Sequence, residues 1–407
     1  MVKKKHRLTM KKLKILAISY LFPNALQPNH GIFVLNRLKA MSKYADITVI
    51  NPIPNSPLHK YVDKFSHFSK IPKFEQLQGI DIHHPRFLSI PGHLKSIEIL
   101  TYRKAVQSII KQIGDDFDLI DLHWTFPDLP TGSWLSNKIG CPFNVTLRGM
   151  EAFHLGDTGI RKYIVAHYLK KANRIISLSD EMAKKADELS DTGKKTHVIR
   201  NGVDTEKFYY QDKQECREKL NLPPNEKVIL GIGGLIFRKG FDVVINALPQ
   251  VISNEHLKNT KFYIVGSQGL EGDCRVQINN IIQKYFLHDK VVFVGSVANS
   301  ELVTWYNAAD VFCLSSRGEG SPNVLTEALA CGTPAVATNV GSVPEIMASE
   351  PGLGDIIKSG DIKEMSDGLI NVLSKPHDNK LQAKLFKKYN WDWCAGEVMK
   401  IIHNKEG

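Results

Sequence analysis

The sequence predicts an α/β protein built from two successive doubly wound parallel sheets. Three observations predict it. Short continuous apolar runs alternate with helix-spaced segments, the alternation restarts near residue 226, and 407 residues exceed what one ordinary core holds.

The first run, KILAISY (14–20), leads through a Pro/Asn loop and Gly31 to the helix-spaced IFVLNRLKAMSK. A second run, DITVINP (46–52), completes a βαβ unit. Parallel strands covered on both faces read as unbroken apolar runs. The same reading gives strands at 117–123, 143–149 and 174–179. A second set then begins with EKVILGIGG (226–234) and its helix KGFDVVINALPQVI. It continues through strands at 261–267, 290–297, 310–316 and 333–339. Two such sets predict two Rossmann-like domains facing a cleft, with ligands at the carboxyl ends of the strands. The expected limits are 1–195 for the first domain and 196–375 for the second, with 376–407 as a closing helix that carries Trp391 and Trp393 and returns to the first domain. Residues 1–12 form a basic tail.

Composition narrows the class. Apolar residues make up 43% and charged residues 23%, a soluble globular balance. The six cysteines are scattered without a C-x-x-C pair, which fits reduced thiols in a cytoplasmic protein rather than a disulfide frame or a zinc site. The apolar run after the basic tail is eight residues long and stops at Pro23-Asn24, so it reads as a first strand and not a secretory leader. The net charge of +11 is uneven: residues 1–195 hold 30 Lys+Arg against 17 Asp+Glu, while the remainder is close to neutral. A basic half beside a neutral half implies an anionic partner on one side.

The standard nucleotide fingerprints fail. GIGGLI places Ile236 where G-x-G-x-x-G needs its last glycine, and no P-loop is present. Asp116 and Asp118 flank the start of an apolar strand, so they read as its charged lead-in rather than a metal site. A metal-free phosphate cradle survives: a strand, a glycine turn, then Arg238-Lys239-Gly240 opening a helix. The plain alternative, an exposed basic turn, carries equal weight on those residues alone.

The most informative stretch is GEGSPNVLTEALACGTPAVATNVGSVPE (318–345). Ser321 as N-cap, Pro322 as first helical residue and Gly332 past the end predict a helix over about 322–331. A capping box needs Glu or Gln at Val324, so capping explains neither Glu319 nor Glu327. Both carboxylates face an anion-friendly helix start, and carboxylates suit vicinal hydroxyls. A ligand with two hydroxylated rings joined by a diphosphate, such as a nucleotide-sugar, fits that layout.

The E-x7-E spacing of Glu319 and Glu327 resembles the donor-site signature of the retaining nucleotide-sugar glycosyltransferases of family four, which have the GT-B fold. GIFV near the first strand, IRNGVDTEKF at the junction, GGLIFRKGFDVVI, VGSVANSELVTWYNAADVFCLSS and a late NWDW agree in order. The resemblance implies that Glu327 binds the ribose hydroxyls and Glu319 the transferred sugar. Gly320, Ser321, Asn323 and Val324 would meet sugar and phosphate through their amides, and Arg238 and Lys239 would face the diphosphate. Gly234 and Gly266 would join the donor set, Val297 and the strand end before it would hold the base, and the Gly31 loop would cover the phosphates. It also implies no metal and no cofactor, the nucleotide-sugar being a substrate. Where the family carries a histidine in an HG turn, this chain reads TLRGME, so either Arg148 or His123 fills the acceptor-side catalytic place.

The implied reaction is retaining transfer of a hexose, from a UDP-sugar by preference, to a glycan or lipid-linked acceptor in surface polysaccharide assembly. HKYVDKFSHFSKIPKFEQ (59–76) mixes lysines with aromatics and offers peripheral contact with an anionic membrane; a solvated loop is the plainer reading. A sugar-nucleotide epimerase or a phosphorylase on the same fold would lack the glutamate block. A nucleic-acid-binding protein would rest on charge alone, so no nucleic acid is expected.

Overall fold

The computed structural model describes residues 12–55, 67–89, 95–149, 159–269 and 272–404. The chain divides into two compact units, one comprising Met1–Ser177, Met182–Ile199 and Ala395–Gly407, the other Leu178–Glu181 and Arg200–Cys394. The last helical region therefore changes unit at Ala395, later than residue 376.

Unit 1 runs β1 (Leu13–Ile18), α1 (Ile32–Met41), β2 (Ala45–Ile50), β3 (Ile53–Asn55), β4 (Phe74–Leu77), β5 (Ile80–His83), β6 (Arg86–Leu88), α2 (Lys95–Ile113), β7 (Leu119–Leu122), α3 (Asp128–Ile139), β8 (Phe143–Leu147), α4 (Ile160–Leu169) and β9 (Arg174–Ser177). Helix α5 (Asp180–Ser190) and β10 (Thr196–Val198) follow. Eight strands form one sheet in the order β10-β9-β8-β7-β1-β2-β5-β4, parallel except for β4 against β5. Its centre is apolar: Ile15, Leu16, Ile18, Val49, Ile120 and Val145 are fully buried. Lys14 sits at the β1 start, where its ammonium meets Asp116 at 2.6 Å and its amide donates to Asp118 at 2.8 Å. The two aspartates are thus the lead-in to β7.

Unit 2 runs α6 (Lys213–Lys219), β11 (Lys227–Ile232), α7 (Phe241–Ile252), β12 (Thr260–Val265), α8 (Arg275–Lys284), β13 (Val291–Gly295), α9 (Leu302–Ala308), β14 (Val311–Leu314), α10 (Asn323–Ala330), β15 (Ala335–Thr338), α11 (Val343–Met347), β16 (Gly354–Ile357), α12 (Ile362–Leu373), α13 (Asn379–Phe386) and α14 (Trp391–His403), whose last turns pass to unit 1. Its six parallel strands are ordered β13-β12-β11-β14-β15-β16. Successive strand residues point to opposite faces, and both faces are covered. Leu230, Phe312 and Ala337 pack with Tyr306, Leu325 and Leu329 on one side. Ile229, Cys313 and Val336 pack with Val244, Leu248 and Leu369 on the other.

The carboxyl ends of β11 and β12 approach closely at two glycines. Gly266 has φ +143°, and a Cβ there would lie 1.9 Å from the Gly233 carbonyl oxygen. Backbone cannot yield as a side chain would, so Gly266→Ala is expected to cost about 2–4 kcal/mol. Thermal unfolding should show a fall of several degrees, and a midpoint within about 1 °C of the parent would refute the close approach.

In the 59–76 stretch, residues 59–66 lie outside the described residues. The rest is a 3-10 turn (His67–Lys70) and the edge strand β4, where Phe74 is half exposed and packs on the His83 ring at 5.1 Å. No helix among the described residues is long and apolar enough to cross a membrane.

Candidate functional site

In unit 2 the strand order reverses between β11 and β14, the point at which a doubly wound sheet opens a crevice at its carboxyl ends. The turn after β11 passes through Gly233 and Gly234 to a 3-10 turn at Phe237–Lys239, then to Gly240 in the left-handed region at φ +66°. A Cβ on Gly240 would lie 2.0 Å from the Ser315 carbonyl oxygen, just after β14. Hydrogen bonds hold the two turns together: Ser315 Oγ donates to the Lys239 carbonyl at 2.8 Å, and the Arg317 amide to the Arg238 carbonyl at 2.7 Å. Arg317 also forks onto Asp242 at 2.8 and 2.6 Å and lies 3.9 Å over the exposed Phe237 ring.

This junction brings Arg238, Lys239 and Glu319 together. Glu319 Oε1 accepts from Lys239 Nζ at 2.6 Å and from Ser316 Oγ at 2.7 Å. Arg238 Nη1 lies 3.7 Å from Glu319 Oε2 and donates to the Gly318 carbonyl at 3.1 Å. The two cations are therefore paired with the first glutamate, and the trio carries a net charge of +1. From the far side, the Ser342 amide donates to the Gly320 carbonyl at 3.0 Å, and Gly341 (φ +55°) leaves no room for a side chain against Glu319 and Gly320.

Helix α10 starts one residue later than the sequence implies. Pro322 is extended at ψ 99° and acts as the cap, so Asn323 is the first helical residue. Ser321 sits too early to cap, and its solvent-shielded hydroxyl has no protein partner. The first amides, at Asn323 and Val324, have no intrahelical acceptor. The helix ends as expected: the Gly332 amide (φ +83°) donates to Leu329 and the Thr333 amide to Ala328, both at 3.0 Å.

Glu327, on α10, accepts from the Tyr306 hydroxyl at 2.8 Å. Burial pushes its carboxyl up to about 7, against the opposing pull of Tyr306 and Lys207. Part of the residue still meets solvent while the carboxyl lies deep. Asn201, from the IRNG motif, donates to Asn323 Oδ1 at 3.2 Å. Val297, beyond β13, is partly buried against the core. Gly234 passes 3.4 Å from the Gly269 Cα, measured from where its Cβ would be. Ser316, Tyr306, Lys207 and Asn201 have no sequence-derived role of their own, although Asn201 and Lys207 lie in the junction motif IRNGVDTEKF and Tyr306 and Ser316 in VGSVANSELVTWYNAADVFCLSS.

The third glutamate of the block, Glu345, belongs to a different assembly. Its carboxylate accepts from the Asp180 amide at 2.7 Å, and its carbonyl accepts from Arg200 at 2.8 Å. Arg200 in turn lies over Tyr389 and Trp393 at 5.2 and 5.8 Å. The IRNG and NWDW motifs thus meet through one stacked guanidinium. Two surface clefts of about 600 and 490 Å³ lie beside Asn339, and none of the sequence-derived site residues lines either. Strand topology and charge, not cleft size, mark the site.

Gly31, His123 and Arg148 stand in unit 1. Gly31 precedes α1 at φ +70°, where a Cβ would lie 2.7 Å from the Leu21 carbonyl carbon. His123 follows β7 and Arg148 follows the adjacent β8, and the two touch: Arg148 Nη2 lies 2.7 Å from His123 Nδ1. His123 Nε2 lies 3.2 Å from Asp121 Oδ2. Burial pushes His123 down to about 4, although Asp121 pulls it up. Burial works to raise Asp121, but His123, Arg37 and Arg148 outweigh it and hold the carboxyl below its usual value. Among the described residues no group of three or more His, Cys, Asp or Glu is arranged to hold a metal.

Residues 212–404 match the family described as glycosyl transferases group 1, and residues 31–207 match glycosyltransferase family 4. TuaC of Bacillus subtilis (strain 168), a glycosyltransferase named for teichuronic acid biosynthesis, is 24% identical over 97% of this chain and 98% of its own. The fold matches sucrose-phosphate synthase from Thermosynechococcus elongatus with a TM-score of 0.75, at 20% identity over 96% of this chain and 98% of that one. It also matches Anabaena Alr3699/HepE solved with UDP-glucose, with a TM-score of 0.70 at 17% identity over 96% and 99%.

Proposed function

Because the chain belongs to the family-four glycosyltransferases and has their two-domain α/β fold, we propose that it transfers a hexose, with retention, from a UDP-sugar to a glycan or lipid-linked acceptor of a cell-surface polysaccharide. The observation that carries this reading is the Arg238–Lys239–Glu319 trio at the β11/β14 switch point, beside the uncapped start of α10. A net positive, partly buried trio next to free helix amides suits a diphosphate, with the carboxylate left for sugar hydroxyls. UDP is favoured because the Anabaena relative holds UDP-glucose, and surface polysaccharide because TuaC is named for one.

In this reading the acceptor attacks from the face that the nucleotide leaves, and negative charge grows on the departing diphosphate. Arg238, Lys239 and the Asn323 and Val324 amides stabilise that charge, with no metal required. Glu327 takes the ribose hydroxyls, Gly234 and Gly266 let backbone approach the ligand, and the backbone around Val297 takes the base. The reaction belongs in the cytoplasm, and peripheral contact of the basic residues of unit 1 with an anionic membrane would bring a lipid-linked acceptor within reach. Failure to sediment with anionic vesicles at low salt would remove that last element.

The first test is thermal unfolding with UDP, GDP, ADP and NAD. A nucleotide at 100 times its Kd stabilises by about 2.7 kcal/mol, a shift of several degrees. UDP alone is expected to shift the midpoint; a shift with none of the four would remove the donor site, and a shift with another nucleotide would replace the base.

A further inference from the structure

The sequence leaves Arg148 and His123 as rivals for one catalytic place, and their geometry gives them different tasks. An arginine cannot accept a hydrogen bond. The 2.7 Å contact between Arg148 Nη2 and His123 Nδ1 therefore needs a free lone pair on Nδ1. With Nδ1 accepting, a neutral ring carries its proton on Nε2, which lies at ion-pair distance, 3.2 Å, from a carboxylate oxygen of Asp121 without hydrogen-bond geometry. All three side chains are buried, on neighbouring strands or just past their ends. Arg37, wholly buried on α1, donates to Thr146 at 3.1 Å and adds a second guanidinium that Asp121 feels. A protonated His123 would put three cations around one buried carboxylate, with its Nδ1–H aimed at Arg148.

We infer that Asp121 and His123 are positioning residues for Arg148: the neutral ring, with its proton on the Asp121 side, accepts from the guanidinium and fixes a permanent cation at the carboxyl end of β8. The chain then has no proton carrier at this place. Phe33, whose ring lies 5.2 Å from the guanidinium carbon, holds the cation from another direction. The inference rests on the glycosyltransferase reading for what Arg148 does, but not for how it is held.

Two measurements test it separately. The first is ¹⁵N NMR of protein labelled in its histidine rings, the His123 signals being assigned by their loss in His123→Asn. A neutral ring with the proton on Nε2 is expected throughout about pH 5.5–8.5. Asp121→Asn should let a population with the proton on Nδ1 appear. A doubly protonated ring in that range, or a proton on Nδ1 in the parent, overturns the inference whether or not the donor assignment stands.

The second is turnover with saturating UDP-glucose. His123→Ala is expected to lower kcat by about 10–100-fold, the loss that follows from removing one hydrogen bond to a charged group. His123→Asn, which keeps an acceptor near the Nδ1 position but cannot titrate, should recover most of that loss. The ratio of its kcat to the parent's should be constant with pH. A ratio changing tenfold per pH unit, or Asn as poor as Ala, would make His123 a proton carrier and overturn the inference. No turnover by the parent would count against the donor reading alone and leave the NMR result to decide.

Discussion

Lys239→Ala is expected to lower kcat by about 100–1,000-fold while the protein stays folded, because one preorganised donor at a developing oxyanion is worth about 2.7–4 kcal/mol. The structure explains why this cation is placed so firmly. Its stem runs over Gly233, where a Cβ would meet Lys239 Cε at 3.2 Å, and its ammonium ends on Glu319 at 2.6 Å. Losing it leaves Glu319 with Ser316 Oγ and the more distant Arg238, so the carboxylate is not stranded. Breaking a fully buried pair would cost about 3–5 kcal/mol, but here the Glu319 and Lys239 side chains retain 11% and 17% of their exposure and two partners remain. A stability loss of about 1–2 kcal/mol is therefore expected, too small to unfold the chain. Steady-state turnover at saturating donor, with thermal unfolding alongside, separates the two effects. Parent-like kcat would end the catalytic role of Lys239. A large loss accompanied by unfolding would make Lys239 structural instead.

How far the site could be read in the sequence follows from the range over which its partners act. The central strands are apolar runs whose residues cover both sheet faces, so KILAISY and EKVILGIGG announce themselves. The edges do not: β4 alternates exposed and half-buried residues, and β16 opens with a glycine. The glutamate block was legible because α10 is local, from its glycine end to the spacing of Glu319 and Glu327. Its start differs from the sequence expectation by one residue, since Pro322 satisfies φ both as cap and as first helical residue, and only ψ decides between them. Long-range partners were out of reach. Tyr306 is 21 positions from Glu327, Lys239 is 80 from Glu319, and His123 is 25 from Arg148. Nothing in local spacing says that Arg148 and His123 touch, so they stood as alternatives when they form one unit.

Nucleotide affinity is expected to fall below pH 7 because of Glu327. With its carboxyl at about 7 in the ligand-free protein, accepting two ribose hydroxyls requires the ionised form. Below pH 7, binding must release a proton, so Kd rises by up to tenfold per pH unit. Glu327→Gln removes the titration. Its Kd should be about tenfold or more weaker than the parent's at pH 8, and the ratio between the two should shrink toward one near pH 6. Titration of the nucleotide's own phosphate affects both proteins alike and cancels in that ratio. Stability runs with the opposite sign. A carboxyl raised on folding favours the protonated form, so its contribution is best below the unfolded value near 4.5 and is lost as pH rises through about 7. The ligand-free Gln variant should then be more stable than the parent at pH 8, by about 1–3 kcal/mol, and the gap should close by about pH 5. Unfolding and nucleotide titrations at pH 6 and 8 suffice to check both. A ratio of Kd values unchanged between those pH values would leave Glu327 as a packing residue of α10 with no part in binding.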